Sequence, residues 1–118
     1  MADAAIVILA GTDARSDLGR VVNGLETARE FVETDGDTVT VIFDGAGTQW
    51  IPELEDEDHR YHHLYDAVSE EVVVCDYCVN AYGVDEEVDS SSVERIDEFE
   101  GHPSLRSLVA DGYEVITF

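Results

Sequence analysis

At 118 residues with a 44% apolar share, the chain has the length and composition of one domain with its own hydrophobic core, which argues against disorder. It carries 28 acidic residues against six arginines and no lysine, a net charge of −22, so its surface repels phosphate and disfavours nucleic acid and anionic membranes as partners. Asp and Glu are spread through every segment instead of gathered in a tail. This pattern reads as a salt-adapted surface, comfortable where a Debye length of ~3 Å at 1 M salt screens self-repulsion. No apolar run approaches the ~20 residues of a membrane span. The N-terminus lacks the basic flank of a signal peptide, so the expected location is the cytoplasm.

Residues 4–10 form a continuous apolar run closed by Gly11-Thr12-Asp13, which predicts a buried strand. Over residues 16–33, Leu18, Val21, Val22, Leu25, Ala28, Phe31 and Val32 recur at helical spacing, with Ser16 as the expected N-cap. Residues 38–43 predict a second strand, closed by Asp44-Gly45-Ala46-Gly47-Thr48. A short helix is expected over 50–54, an acidic loop over 55–60 and a helix over 62–71. Val72-Val73-Val74 is the third strand, followed by Cys75-Asp76-Tyr77-Cys78 at the start of a short helix. Residues 83–92 predict a short helix and turn, and 93–96 a weak fourth strand. A helix is expected to open at Gly101-His102-Pro103 and run through Ala110, with a fifth strand over 113–118.

Strands alternating with helices at this spacing imply an α/β fold: one domain over residues 1–118, built on a five-stranded parallel, doubly wound sheet flanked by helices. Ligands of such sheets bind beyond the carboxyl ends of the strands. Gly11, Thr12, Asp44, Gly45, Gly47, Thr48, Cys75, Cys78 and His102 all fall on that edge.

Cys75 and Cys78 are the only cysteines. In a reducing compartment a C-x-x-C pair points to redox, sulfur-carrying or metal chemistry before a structural disulfide. A nucleophilic thiolate needs its pKa lowered from ~8.5, which a helix N-terminus and a nearby His102 would favour, and which Asp76 and the general negative field oppose. A second thiol three residues on can resolve a persulfide or mixed disulfide on the first. The alternative of two small buried hydrophobes stands beside this reading. Zinc is a further alternative, with Cys75, Cys78 and two of His59, His62, His63 and His102 as ligands, although no second C-x-x-C or H-x₃-H completes the pattern. Asp44-Gly45-Ala46-Gly47-Thr48 and Gly11-Thr12 are candidate anion-binding turns, but the lysine of a P-loop is missing and a tight packing turn is the competing reading. No cofactor is expected. Trp50, Tyr61 and Tyr65 read as core or interface residues, and Trp50, Tyr61 and Tyr82 as aromatic surface inviting an oligomer.

Ala5 to Gly11, Phe43-Asp44-Gly45-Ala46-Gly47-Thr48, the segment from Cys75 to Gly83, Glu100-Gly101-His102-Pro103-Ser104 and the closing Gly112 to Phe118 together resemble small proteins of the DsrE/DsrF (YchN-like) family across essentially the whole chain. The acidic, lysine-free composition is similar to haloarchaeal members. The resemblance implies a five-stranded parallel sheet, assembly into homo-trimers or hexamers, and, in sulfur-relay members, a cysteine at the end of the third strand that carries sulfur as a persulfide. Cys75 matches that cysteine, and Cys78 is similar to the second thiol of stand-alone members. The expected function is a sulfur-relay or sulfurtransferase-like role, or thiol redox, with Cys75 accepting sulfur from a donor protein, Cys78 resolving it and His102 assisting. A non-catalytic oligomeric scaffold with inert cysteines is the alternative.

Overall fold

The computed structural model describes residues 1–118. Five strands, β1 (Asp3–Ile8), β2 (Thr38–Phe43), β3 (Val72–Cys75), β4 (Glu94–Ile96) and β5 (Glu114–Thr117), form one sheet in the order β4-β3-β2-β1-β5. Every pairing is parallel. Six helices connect them: α1 (Arg15–Val32), α2 (Trp50–Glu55), α3 (His62–Ala67), α4 (Asp76–Ala81), α5 (Asp85–Ser90) and α6 (Leu105–Ala110).

The strand order explains how the two faces are covered. From β1 to β4 the chain steps one strand at a time in a single direction, so right-handed crossovers put α1 to α5 on one face. The return from β4 across the whole sheet to β5 puts α6 on the other. The main core lies on the first face. There Ala4, Ile6, Ile8, Val39, Val41, Phe43, Val72 and Val74 meet Val21, Leu25 and Ala28 of α1, together with Trp50, Ile51, Leu54, Leu64, Tyr65, Val79 and Val88. The interior strand β1 is buried from Ala4 to Ile8 on both faces, which is why it reads as an unbroken apolar run. On the second face, α6 leaves a groove of about 280 Å³ over Thr40, Ile42, Val73 and Ile96.

The expected strands and helices are present, with boundaries shifted by a residue or two at several ends and more clearly at three places. The first strand ends at Ile8, and Leu9 and Ala10 instead give their amides to the Phe118 carbonyl oxygen, at 2.8 and 3.3 Å. α1 starts at Arg15 from extended Ala14 with no side-chain cap, so Ser16 lies inside the helix. The stretch expected as one helix over 62–71 is α3 followed by a 3-10 turn, Ser69–Glu71.

The largest difference is at Gly101-His102-Pro103, which does not open a helix. α6 begins only at Leu105, where the Ser104 hydroxyl accepts from the Ser107 amide. Upstream, Phe99 and His102 exchange two backbone hydrogen bonds of 2.8 Å across Glu100 and Gly101, whose φ angles are +52° and +84°. Two successive left-handed residues inside a two-residue loop make a type I′ hairpin turn. Trp50 is also a core residue, not surface: it is 5% exposed, and its indole N–H donates to the Ala10 and Gly11 carbonyl oxygens at 3.0 Å.

Candidate functional site

Parallel register builds the site. Phe43 of β2 pairs with Val74 of β3, so the next residues, Asp44 just past β2 and Cys75 at the end of β3, lie side by side. Cys75 is also the residue from which α4 starts, and Cys78 lies one turn along that helix. The fourth component comes from the hairpin turn. The Tyr77 amide donates to the Gly101 carbonyl oxygen at 2.9 Å, anchoring the turn to α4, and the His102 ring lies 4.7 Å from the Tyr77 ring, centroid to centroid.

These elements converge tightly. Asp44, Cys75, Cys78 and His102 each offer one donor atom, and the four atoms lie within 4.8 Å of one another. His102 Nδ1 is 3.3 Å from Cys75 Sγ, and the Cys78 thiol faces Asp44 Oδ1 at 3.4 Å. Asp44 Oδ1 also accepts from the Gly45 amide at 2.8 Å, which fixes the carboxylate. The Cys75 thiol has the Gly101 carbonyl oxygen at 3.9 Å as a further acceptor. Both cysteines are free; Cys75 is 0% exposed and Cys78 8%.

Burial pushes the Cys75 thiol up to about 12. The Cys78 amide pulls in the opposite direction, but the Cys78 thiol and the Asp44 carboxylate add to the rise. The helix N-terminus expected to favour a thiolate is therefore present and outweighed. Asp76, the neighbour expected to oppose it, is occupied elsewhere: Arg95 holds it at 2.7 Å and also bonds Asp89 at 2.9 Å and Asp85 at 3.2 Å. Hydrogen bonding to Asp89, then to Asp76 and Asp85, raises the Arg95 pKa against the effect of its burial. The group that bears on Cys75 is the carboxylate of the adjacent strand.

The DsrE/DsrF-like family model matches residues 4–118. The chain belongs to the DsrE/DsrF-like family. An uncharacterized protein of Methanocaldococcus jannaschii is 32% identical over 81 residues, a match covering 69% of this chain and 66% of that protein. A solved structure of a conserved protein of unknown function from Bacteroides thetaiotaomicron superposes with a TM-score of 0.61 at 12% identity, covering 97% of this chain and 94% of that one. That likeness concerns the fold.

Within this DsrE/DsrF-like domain, the residues singled out from sequence separate into two groups. Cys75, Cys78, His102 and Asp44 meet. Gly45, Gly47 and Thr48 form a 3-10 turn, Gly45–Gln49, that packs against the end of β1. The Thr48 hydroxyl donates to the Gly45 carbonyl oxygen at 2.9 Å, and the Gly47 amide donates to that of Asp44. Gly47 lies so close to β1 that a Cβ there would sit 2.0 Å from the Ile8 carbonyl oxygen. Gly11 supplies its carbonyl oxygen to Trp50, and Thr12 lies half-buried in the turn after β1. Of the four histidines only His102 joins the cluster, so a zinc set with two histidines is not assembled. His59 Nδ1 accepts from the Tyr61 amide at 3.0 Å, and His62 Nδ1 donates to the Leu54 carbonyl oxygen at 2.7 Å. Sequence reasoning placed Asp44 on the same sheet edge as the thiols, but not its direct contact with Cys78, nor Tyr77 as the support of His102. Knowing that β2 and β3 are adjacent would have revealed the first.

Proposed function

We propose that this chain is a cytoplasmic sulfur-relay or sulfurtransferase-like protein in which the Cys75–Cys78 pair accepts and passes on sulfane sulfur. The observation that carries this reading is the pairing of each thiol with its own proton acceptor, Cys75 with His102 and Cys78 with Asp44. A thiolate attacking the outer sulfur of a donor persulfide takes that atom and releases the donor as a thiolate, with no net oxidation. Cys75 holds the sulfur, and His102 Nδ1 takes the proton its thiol gives up. An acceptor thiolate attacking the outer sulfur of the Cys75 persulfide passes that atom on and frees the Cys75 thiolate. Without an acceptor, Cys78 attack on the inner sulfur yields a Cys75–Cys78 disulfide and hydrosulfide, and an external dithiol must reduce the pair before the next cycle. Cys78 is the more exposed of the two thiols. Exposed Tyr77 and Phe99 adjoin His102, through its ring and its backbone pairing, and suit a protein surface, either a donor or another copy in a homo-trimer or hexamer. The acidic, lysine-free composition supports a salt-adapted, haloarchaeal-type member.

Incubation of reduced, metal-free protein with a low-molecular-weight persulfide, followed by intact-mass analysis, tests the reading. Species heavier by one sulfur atom are expected to accumulate in Cys78→Ser and to vanish in Cys75→Ser, while wild type is expected to show them together with the Cys75–Cys78 disulfide into which Cys78 resolves them. The full burial of Cys75 favours the rival reading, a scaffold with inert thiols. Wild-type protein that gains no sulfur, and whose thiols stay unreactive to a native thiol titration, would establish the scaffold instead.

A further inference from the structure

We propose that Asp44, Cys75, Cys78 and His102 form a tetrahedral binding site for one thiophilic divalent metal ion of the zinc class. Metal–ligand bonds of ~2.3 Å to sulfur and ~2.0–2.1 Å to nitrogen and oxygen require a tetrahedron with edges of roughly 3.3–3.8 Å. Two edges already have that length: Cys75 Sγ to His102 Nδ1 at 3.3 Å and Cys78 Sγ to Asp44 Oδ1 at 3.4 Å. Every other pair of donors is within 4.8 Å, so a contraction of at most about 1.5 Å closes the shell.

The donors come from three separate pieces of chain, each fixed by its own bonds. Asp44 ends β2 with its carboxylate held by the Gly45 amide. Cys75 and Cys78 span the junction of β3 and α4. His102 closes the hairpin, with Tyr77 against its ring. Two sulfurs and an imidazole select a borderline-soft ion over magnesium or calcium, which take oxygen ligands.

Charge points the same way. Binding releases one proton from each thiol to solvent and leaves two thiolates, a carboxylate, a neutral imidazole and a doubly charged cation. The negative field of a chain with net charge −22 draws a cation into this cluster. The site goes beyond the sulfur-relay reading and does not depend on it. Where both hold, the ion withholds the thiols from sulfur until it is removed.

Cobalt(II) is the probe. Reduced protein stripped of metal by a chelator, kept in high salt and titrated with cobalt, is expected to bind one ion per chain. The signature is thiolate-to-cobalt charge transfer with intense tetrahedral ligand-field bands, both bleached by zinc. Cys75→Ser and Cys78→Ser should each diminish the charge-transfer band. Asp44→Asn and His102→Gln, at the half-buried edge of the cluster, should keep it while weakening binding by about tenfold or more. Only weak octahedral cobalt spectra, as surface carboxylates give, would overturn the site; so would a band unchanged in the double variant Cys75→Ser/Cys78→Ser. The same metal-free batch is offered the persulfide. Sulfur uptake without a charge-transfer band removes the metal site and leaves the relay standing, and the opposite result removes the relay alone.

Discussion

Cys75 is the residue on which opposing influences converge. The Cys78 amide favours its thiolate; burial and Asp44 favour its thiol and prevail. The groups facing it are Asp44 from β2, Cys78 from α4, and His102 with the Gly101 carbonyl oxygen from the hairpin. With its pKa pushed up to about 12, the metal-free thiol should alkylate ever faster as pH rises, tenfold per unit, with no plateau below pH 10. Cys78→Ser isolates that thiol for the rate measurement. A plateau near the ordinary thiol value of ~8.5 would contradict this and show reaction through an opened state. Linkage has the same sign. The native state keeps a proton that the unfolded chain loses above ~8.5. The resulting stabilisation is therefore complete below that pH and fades as pH rises toward 12. The thiol pair was legible in the sequence because C-x-x-C after an apolar run is a local pattern. Asp44 was legible as a residue of the same sheet edge, whereas its direct approach to the thiols was not, since that depends on which strands are neighbours.

Among the elements, strands were read with least error. Runs such as Ala4 to Ile8 and Val72 to Val74 are apolar because helices and neighbouring strands cover them, and that burial leaves a direct trace in composition. Helix entry was read less well. Ser16 has the chemistry of a cap, yet α1 begins one residue earlier without one, its position set by the packing of Val21, Leu25 and Ala28. The hairpin at Glu100–Gly101 left no local trace, because glutamate is not a residue that advertises φ of +52°. Its conformation is imposed by the Phe99–His102 pairing and by the anchor to Tyr77. Substituting Glu100→Asn creates Asn-Gly, the preferred pair for a type I′ turn, and should stabilise the protein by about 1 kcal/mol. The denaturant midpoint should rise at constant slope. A fall in the midpoint would show that the left-handed conformation of Glu100 carries no strain that Asn relieves.

At the scale of the whole molecule, the dominant fact is 28 acidic residues against six arginines. The ion pairs are few, and Arg95 alone answers three of the carboxylates, Asp76, Asp85 and Asp89. Exposed pairs such as Arg20 with Asp17 contribute ~0–1 kcal/mol at most and weaken in salt. Repulsion among unpaired carboxylates acts over the whole surface, and screening relieves it as the Debye length falls from ~10 Å at 0.1 M to ~3 Å at 1 M. The second effect involves many more groups than the first, so the melting temperature should rise with sodium chloride. The same screening governs self-association, because two copies each carrying −22 must approach before the exposed Tyr77, Tyr82, Phe99 and Val109 can be covered. Sedimentation velocity across that salt range should therefore show a monomer passing to a trimer or hexamer as salt increases, with the melting temperature following assembly. A species that remains monomeric at 1 M and above would refute assembly, and a melting temperature that falls with salt would show that the ion pairs, not the repulsion, dominate this surface.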